Sequence, residues 1–481
     1  MFAGKRIGAS ADQASARAHL LLNFTDFSNF EDRPIPMMVR GDGCEVIDSN
    51  GRRYVDGLSG LFCTNLGHGF GAEVGEAAQH QLSEMVFSPN WSLTHPSAVH
   101  LAERLTTAAE PLGMTRLFLT SGGGEAVEAA WKLVRQWHLA NGQPQRHKAI
   151  ARDLAYHGTS LGALSFTGLD DCREPFMPLP IPVSFVSNTN AYRHVDGGDE
   201  AAFTKALLDE IHRTIIREGT DEVAMLIAEP IQNSGGAFVP PAGYWAGLRK
   251  LCDRYGILLV ADETISAFGR VGEWFGSMRF DARPDIITFA KGATAGHAPL
   301  GGVLMNDRVA EPFASGAVTY MHGLTFSGHP LSTAIALKVL DIYDRENVFE
   351  NVRSLEGHFE SQLQELRSNP LVGDIRGAGF FWAVELVKDR ETREMFNEVE
   401  AQWLLRDELS GHMDELGLLC RLDDRGEPVI QLSPPLVADA QALDRMVSII
   451  GEATGRAQKS WNKERARLLR TAGRQQNINV A

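Results

Sequence analysis

Between about residues 115 and 310, short apolar runs alternate with longer amphipathic stretches, and this alternation restricts the fold more than any other feature. Arg116–Thr120, Lys148–Arg152, Ala224–Ala228, Ile257–Ala261 and Ile286–Ala290 are the short runs, most of them rich in Val, Ile, Leu or Phe. They read as buried strands. Between two of them, Tyr244, Leu248, Leu251, Cys252 and Tyr255 recur at three- and four-residue spacing, one face of a helix. Such alternation predicts an α/β fold whose mostly parallel central sheet is flanked by helices on both faces. In sheets of this kind ligands sit beyond the carboxyl ends of the strands. The flanks differ. Residues 38–56 carry strand-like pieces broken by Gly41-Asp42-Gly43 and Asn50-Gly51, a long helical stretch begins after Pro330, and 370–450 mix short strands with helices. Both chain ends are therefore expected to meet in a smaller α+β domain. The division expected is 1–70 joining the small domain, 71–335 as the large domain, 336–455 as the rest of the small domain, and 456–481 as a basic tail. An Ala/Ser-rich start, residues 8–18, reads as disordered or wrapped on a neighbour.

With 481 residues the chain is too long for one compact core. A net charge of −15 argues against nucleic acid as the main partner. The exception is local: residues 456–481 hold seven Lys/Arg and one acid, which reads as a solvated terminal helix with a frayed end, the alternative being a segment that binds an acidic surface such as the partner subunit's. No apolar run approaches the roughly 18 residues that a membrane helix needs, so no membrane role is expected. Five scattered cysteines without a C-x-x-C pair suggest free thiols and a cytoplasmic protein rather than a disulfide frame or a zinc site.

The residues that follow each predicted strand carry the chemistry. After Thr120 come Ser121, Gly122, Gly123, Gly124 and Glu125, then a helix with Ala126, Val127, Ala130, Leu133, Val134 and Trp137 on its apolar side. A strand, a glycine turn and a helix start present free N–H groups and the positive end of the helix dipole to one point, where a phosphate fits. A tight turn needing glycine for steric reasons is the plain alternative. After Arg152 come Tyr156 and His157, and the ring of Tyr156 could stack on a planar ligand or simply join the core. After Ala261 stand Asp262 and Glu263, a desolvated acid that needs a cationic partner. After Ala290 stands Lys291, whose burial would push its amine towards the neutral, reactive form. A bare Asp–Lys ion pair would explain the last two. Taken together, however, the four strand ends offer phosphate capture, ring stacking, a buried acid and a buried amine, the four things pyridoxal 5′-phosphate (PLP) needs.

Three stretches then identify a family. Leu259-Val260-Ala261-Asp262-Glu263 with Phe268-Gly269-Arg270, Pro284-Asp285 through Lys291-Gly292, and His322 through Pro330 resemble the class III aminotransferases of PLP fold type I, especially the ω-amino acid or amine:pyruvate branch. The resemblance runs from about residue 33 to 450. It implies that Lys291 carries the cofactor as a Schiff base and then moves the proton, and that Asp262 pairs with the pyridine nitrogen. It further implies that Tyr156 stacks on the ring, with His157 beside it, and that Ser121 and the turn Gly122–Gly124 hold the phosphate. Glu229 lies near the site, and Thr325 reaches the phosphate of the other subunit, so that a homodimer shares its active sites. Substrate contacts implied are Phe62, Trp91 and an arginine upstream of Pro434-Pro435, for which Arg421 is favoured over Arg425. The run Arg421 to Gly426 reads as a long loop, and the plain alternative is that both arginines are solvated there, paired with Asp423 and Asp424. The partners expected are a small amine and a keto acid, with pyruvate as acceptor. Three positions depart from the family pattern: Gly122-Gly123-Gly124 replaces Ser-Gly-Ser, Thr264 replaces Val, and Phe62 replaces Trp. A 2-oxoglutarate-dependent ω-aminotransferase and an aminomutase of the glutamate-semialdehyde type are the alternatives, and the look of Leu58–Gly69 disfavours both. Intact Lys291 and Asp262 argue against an inactive binding protein, and Gly377-Ala378-Gly379 lacks the third glycine of a dinucleotide site.

Overall fold

A computed structural model describes residues 9–30, 34–194 and 198–478. Its strands, in chain order, are β1 (Met38–Asp42), β2 (Glu45–Asp48), β3 (Arg53–Asp56), β4 (Met114–Thr120), β5 (Lys148–Arg152), β6 (Val183–Val186), β7 (Val223–Ala228), β8 (Leu258–Asp262), β9 (Ile286–Phe289), β10 (Gly301–Asn306), β11 (Val372–Ala378), β12 (Phe381–Leu386), β13 (Leu418–Leu419), β14 (Arg421–Asp423) and β15 (Val429–Leu432). The five predicted strands are all present, with ends shifted by no more than two residues. Together with β6 and β10 they form a seven-stranded sheet in the order β4-β10-β9-β8-β7-β5-β6. β10 runs opposite to the other six strands, which all point the same way.

Every residue of β7, β8 and β9 is buried, which is why these strands read as unbroken apolar runs. Their side chains still alternate between two cores. Met225, Ile227, Leu258, Val260 and Ile286 pack with Ala126, Val127, Ala130, Leu133 and Val134 of the helix Gly123–Ala140. Leu226, Ala228, Leu259, Ala261 and Ile287 face the opposite layer with Trp245, Leu248 and Cys252 of the helix Tyr244–Tyr255. That helix ends at Gly256 in the left-handed region (φ 65°), where a glycine stops a helix at least cost.

The chain ends meet in two smaller sheets. β11-β12-β15-β14 is antiparallel throughout, and β1-β2-β3-β13 joins residues near 50 to residues near 418 through the parallel pairs Leu418↔Val55 and Leu419↔Asp56. The Ala/Ser-rich start is not disordered: Ala9–His19 is a helix, and the Gln13 amide exchanges two hydrogen bonds with the Ile35 backbone (2.8 and 3.0 Å). Basic residues from 456 onward continue the helix Ala440–Ile478. Its part up to Trp461 is docked, with Arg456 paired to Glu415 and Glu452 and Trp461 buried against Phe396 and Trp403. The side chains of 464–478 lie outside the described residues. All five cysteines are free. Among the described residues no helix is long and apolar enough to cross a membrane, and no cluster of His, Cys, Asp or Glu could hold a metal ion.

Candidate active site

Because β4, β5, β7, β8 and β9 all end on one side of the sheet, Ser121, Tyr156, Glu229, Asp262 and Lys291 converge there. A cavity of about 440 Å³ is lined by Ser121, the three glycines, Tyr156, His157, Glu229, Asp262, Thr264 and Lys291. Ten of the expected positions are thus brought together.

Asp262 closes β8 and is 4% exposed. Burial alone would raise its carboxyl, but hydrogen bonds outweigh that and hold it below the usual range. His157 Nδ1 lies 2.7 Å from Oδ2, while Oδ1 accepts from Thr264 N (3.1 Å), Thr264 Oγ1 (2.6 Å) and Thr288 Oγ1 (3.1 Å). Thr288 escaped the sequence reading. It faces Asp262 in the parallel register of β8 and β9, and its signal was a lone polar residue in an otherwise apolar strand.

Lys291 sits just after β9 with φ 39°, a left-handed backbone that a side-chain-bearing residue adopts at a cost of about 1–2 kcal/mol. Strain of this kind persists where the surroundings fix it. Burial lowers the pKa of its amine, and the nearby charge of Asp262 opposes this only in part. Its Nζ lies 5.7 Å from the centroid of the Phe62 ring.

The turn after β4 has the strand–glycine–helix form expected of it. The helix Gly123–Ala140 opens on Gly122, which offers no side chain to the N–H groups of the first turn. A Cβ at Gly122 would meet nothing within 4 Å, and one at Gly124 would make ordinary contact with Ser160 Oγ at 3.7 Å. At Gly123 it would approach Thr264 Cγ2 at 3.0 Å, so this central glycine is sterically tight. Gly158, another residue the sequence reading passed over, has φ 122° and would drive a Cβ to 2.9 Å from Gly124 Cα. Glu229 is buried, accepts from Asn233 N through Oε2 (2.9 Å) and has an unpartnered Oε1. Burial pushes its carboxyl up.

The expected substrate residues are placed less uniformly. Phe62 is 2% exposed and packs edge-on against Phe381, whereas its neighbour Leu61 reaches the cavity wall. Arg421 and Arg425 do not share one long loop: Arg421 opens β14, and Arg425 lies in the turn to β15. Arg425 grips Asp423 through two hydrogen bonds of 2.7 Å, and Asp424 pairs with Arg406. Arg421 is 3.6 Å from Asp423 and stands 5.9 Å above the Phe62 ring, close enough to affect Lys291 and Tyr156 electrostatically. Trp91 (68% exposed) and Thr325 lie outside the cavity of their own chain.

The residues fit PLP: an uncapped glycine turn for a phosphate, an aromatic ring, a carboxylate held ionised by its donors, and an amine pushed towards neutrality. Comparison with known proteins agrees. The family model described as aminotransferase class-III matches residues 27–454. A probable aminotransferase of Mycobacterium tuberculosis is 44% identical over 415 residues, covering 86% of this chain and 88% of that protein. The putrescine–pyruvate aminotransferase of Pseudomonas aeruginosa is 36% identical over 441 residues, 91% of this chain and 94% of that protein. Among solved structures, the PLP-bound form of an amine transaminase from an uncultivated Pseudomonas species matches with a TM-score of 0.85 at 35% identity, covering 91% of this chain and 99% of that chain.

Proposed function

The chain belongs to the class III aminotransferases and has the fold of PLP-dependent transaminases, and from that premise we propose that it uses PLP to move an amino group from an amine or ω-amino acid to pyruvate by a ping-pong mechanism. The observation that carries this reading is the convergence of Lys291, the His157–Asp262 pair and the glycine turn on one cavity.

When bound, PLP supplies an aldehyde that joins primary amines and a ring that draws electrons away from the substrate's Cα. The protein's own groups do the rest. The N–H groups at Gly122–Gly124 would hold the phosphate, and Tyr156 would stack on the ring. Asp262, kept anionic by His157, Thr264 and Thr288, holds a proton at the ring nitrogen. Lys291 would hold the cofactor, and its Nζ would take the proton from the substrate's Cα. Burial favours the neutral form of that amine, which is the form the task requires.

Donor and acceptor use the same pocket in turn, so a fixed buried cation would penalise an apolar donor. Arg421 is suited to meet a keto acid's carboxylate because its planar fork donates two parallel hydrogen bonds. Its loose contact with Asp423 leaves it freer to move than Arg425. Thr325 and Trp91 fit a homodimer in which each subunit completes the other's site, and exposed Met321 and Phe326 beside them are apolar surface that a second copy would cover. The support for pyruvate as acceptor is the likeness to the putrescine–pyruvate enzyme. The test is to give the PLP-loaded protein a panel of amines with pyruvate or 2-oxoglutarate and to measure alanine and glutamate. Alanine formation is expected; glutamate alone would reassign the acceptor, and no amino transfer to either would overturn the reading.

A further inference from the structure

Thr264 stands between the two halves of the cofactor site. Its Cγ2 is the atom that crowds Gly123 in the phosphate turn, while its hydroxyl and its backbone N–H both reach Asp262 Oδ1 (2.6 and 3.1 Å). The two polar contacts differ in what they depend on. The N–H donor is available to any residue at this position, whereas the hydroxyl is available only to Thr or Ser. With Thr288 Oγ1 at 3.1 Å, Oδ1 has three donors. Oδ2 has His157 alone at 2.7 Å. A carboxylate offers about four acceptor directions, two on each oxygen. Oδ1 is therefore saturated, and Oδ2 is the oxygen able to accept another hydrogen bond.

We propose that Thr264 is a positioning residue for Asp262: its hydroxyl fixes Oδ1, keeps the carboxylate anionic and so leaves the proton of the acid–ring pair on the cofactor's ring nitrogen. This rests on the PLP reading above. The physical reason is the direction of the hydrogen bond. Donors to a carboxylate favour its charged form and lower its affinity for a proton. A proton shared between a carboxylate and a pyridine nitrogen sits on the nitrogen when the carboxylate is the weaker base. Valine would put a methyl where the hydroxyl stands, leaving Oδ1 with the backbone donor and Thr288 only. The other titratable groups around Asp262 are His157, Glu229 and Lys291, and none of them is hydrogen-bonded to Oδ1.

The test compares wild type with Thr264→Val and Thr264→Ser. In the cofactor-free protein, the Asp262 carboxyl is titrated by carbon NMR; in the protein loaded with PLP labelled with ¹⁵N in the ring, the nitrogen resonance is read. Thr264→Val is expected to raise the pH at which Asp262 titrates and to move the ring nitrogen towards the unprotonated position, and Thr264→Ser is expected to restore both. An Asp262 titration unchanged in the valine variant, or not restored by serine, would overturn the proposal. So would a ring nitrogen that stays as protonated in the valine variant as in wild type. Failure of the wild-type protein to retain PLP would instead overturn the cofactor reading and the ring half of this proposal, while the Asp262 titration would still decide the other half.

Discussion

Replacing Arg421 by alanine should separate the two half-reactions. The structure distinguishes it from Arg425 by partners: Arg425 is held to Asp423 by two short bonds, while Arg421 meets the same carboxylate only at 3.6 Å and lies over Phe62. A hydrogen bond to a charged group contributes about 1.5–3 kcal/mol. Arg421 is a quarter exposed, so solvent screening puts two such bonds at the low end, about 3 kcal/mol together. At about 1.4 kcal/mol per factor of ten, kcat/KM for pyruvate should fall roughly 150-fold. A neutral monoamine has no carboxylate for Arg421 to bind, so its half-reaction should change no more than a few-fold. Stopped-flow measurement of each half-reaction reads the two separately. Arg425→Ala is the control, expected to lower the melting temperature through the β14–β15 hairpin with a smaller effect on pyruvate. Equal losses for amine and pyruvate in Arg421→Ala, or a larger loss of pyruvate in Arg425→Ala, would refute the assignment.

Borohydride reduction of the PLP-loaded protein should fix the cofactor to the peptide that contains Lys291, as peptide mass analysis would show; labelling at another lysine would displace it. Asp262→Asn should slow transamination by orders of magnitude, roughly 3–4 kcal/mol of lost electrostatic stabilisation, measured at full PLP occupancy. Gly124→Ser should hold PLP more tightly by about 0.5–1.5 kcal/mol in an equilibrium dialysis, because a side chain fits there without crowding and adds one hydrogen bond. In the cofactor-free protein, Lys291→Met should resist urea better than wild type at neutral pH, by about 1.4 kcal/mol for each pH unit by which burial depresses the amine. The sign follows from a lysine that binds its proton more weakly when folded: the penalty is full below the folded pKa and vanishes as pH rises to the ordinary lysine value, so the two unfolding curves should converge in alkali.

What the sequence disclosed, and what it hid, divides along the range of the interactions involved. Asp262 and Lys291 were legible because each stands at the end of a strand buried on both faces, and such strands are continuous apolar runs whose ends are plain to see; the glycine turn was legible from its own three glycines ahead of an amphipathic helix. The helix Tyr244–Tyr255 was legible for the same kind of reason, its three- and four-residue spacing being local. Thr288 was hidden because its importance lies in register, which puts it beside Asp262 across a strand pair 26 residues apart in the chain. The Ala/Ser-rich start looked unstructured because what tethers it, Gln13 to Ile35, spans 22 residues and leaves no periodicity. Arg421 to Asp423 looked like a loop because β14 is the edge strand of its sheet, and edge strands tolerate the charged residues that interior strands exclude. That placement has a consequence for the chemistry. An arginine on an edge strand has its backbone held on one side by β15, and in the proposed role its side chain would be free to exchange Asp423 for a substrate carboxylate. A free loop would have supplied the mobility without the aim, and an interior strand would have supplied the aim without room for a charge. In the proposed role, the edge of the β14–β15 hairpin, beside Phe62, would provide both.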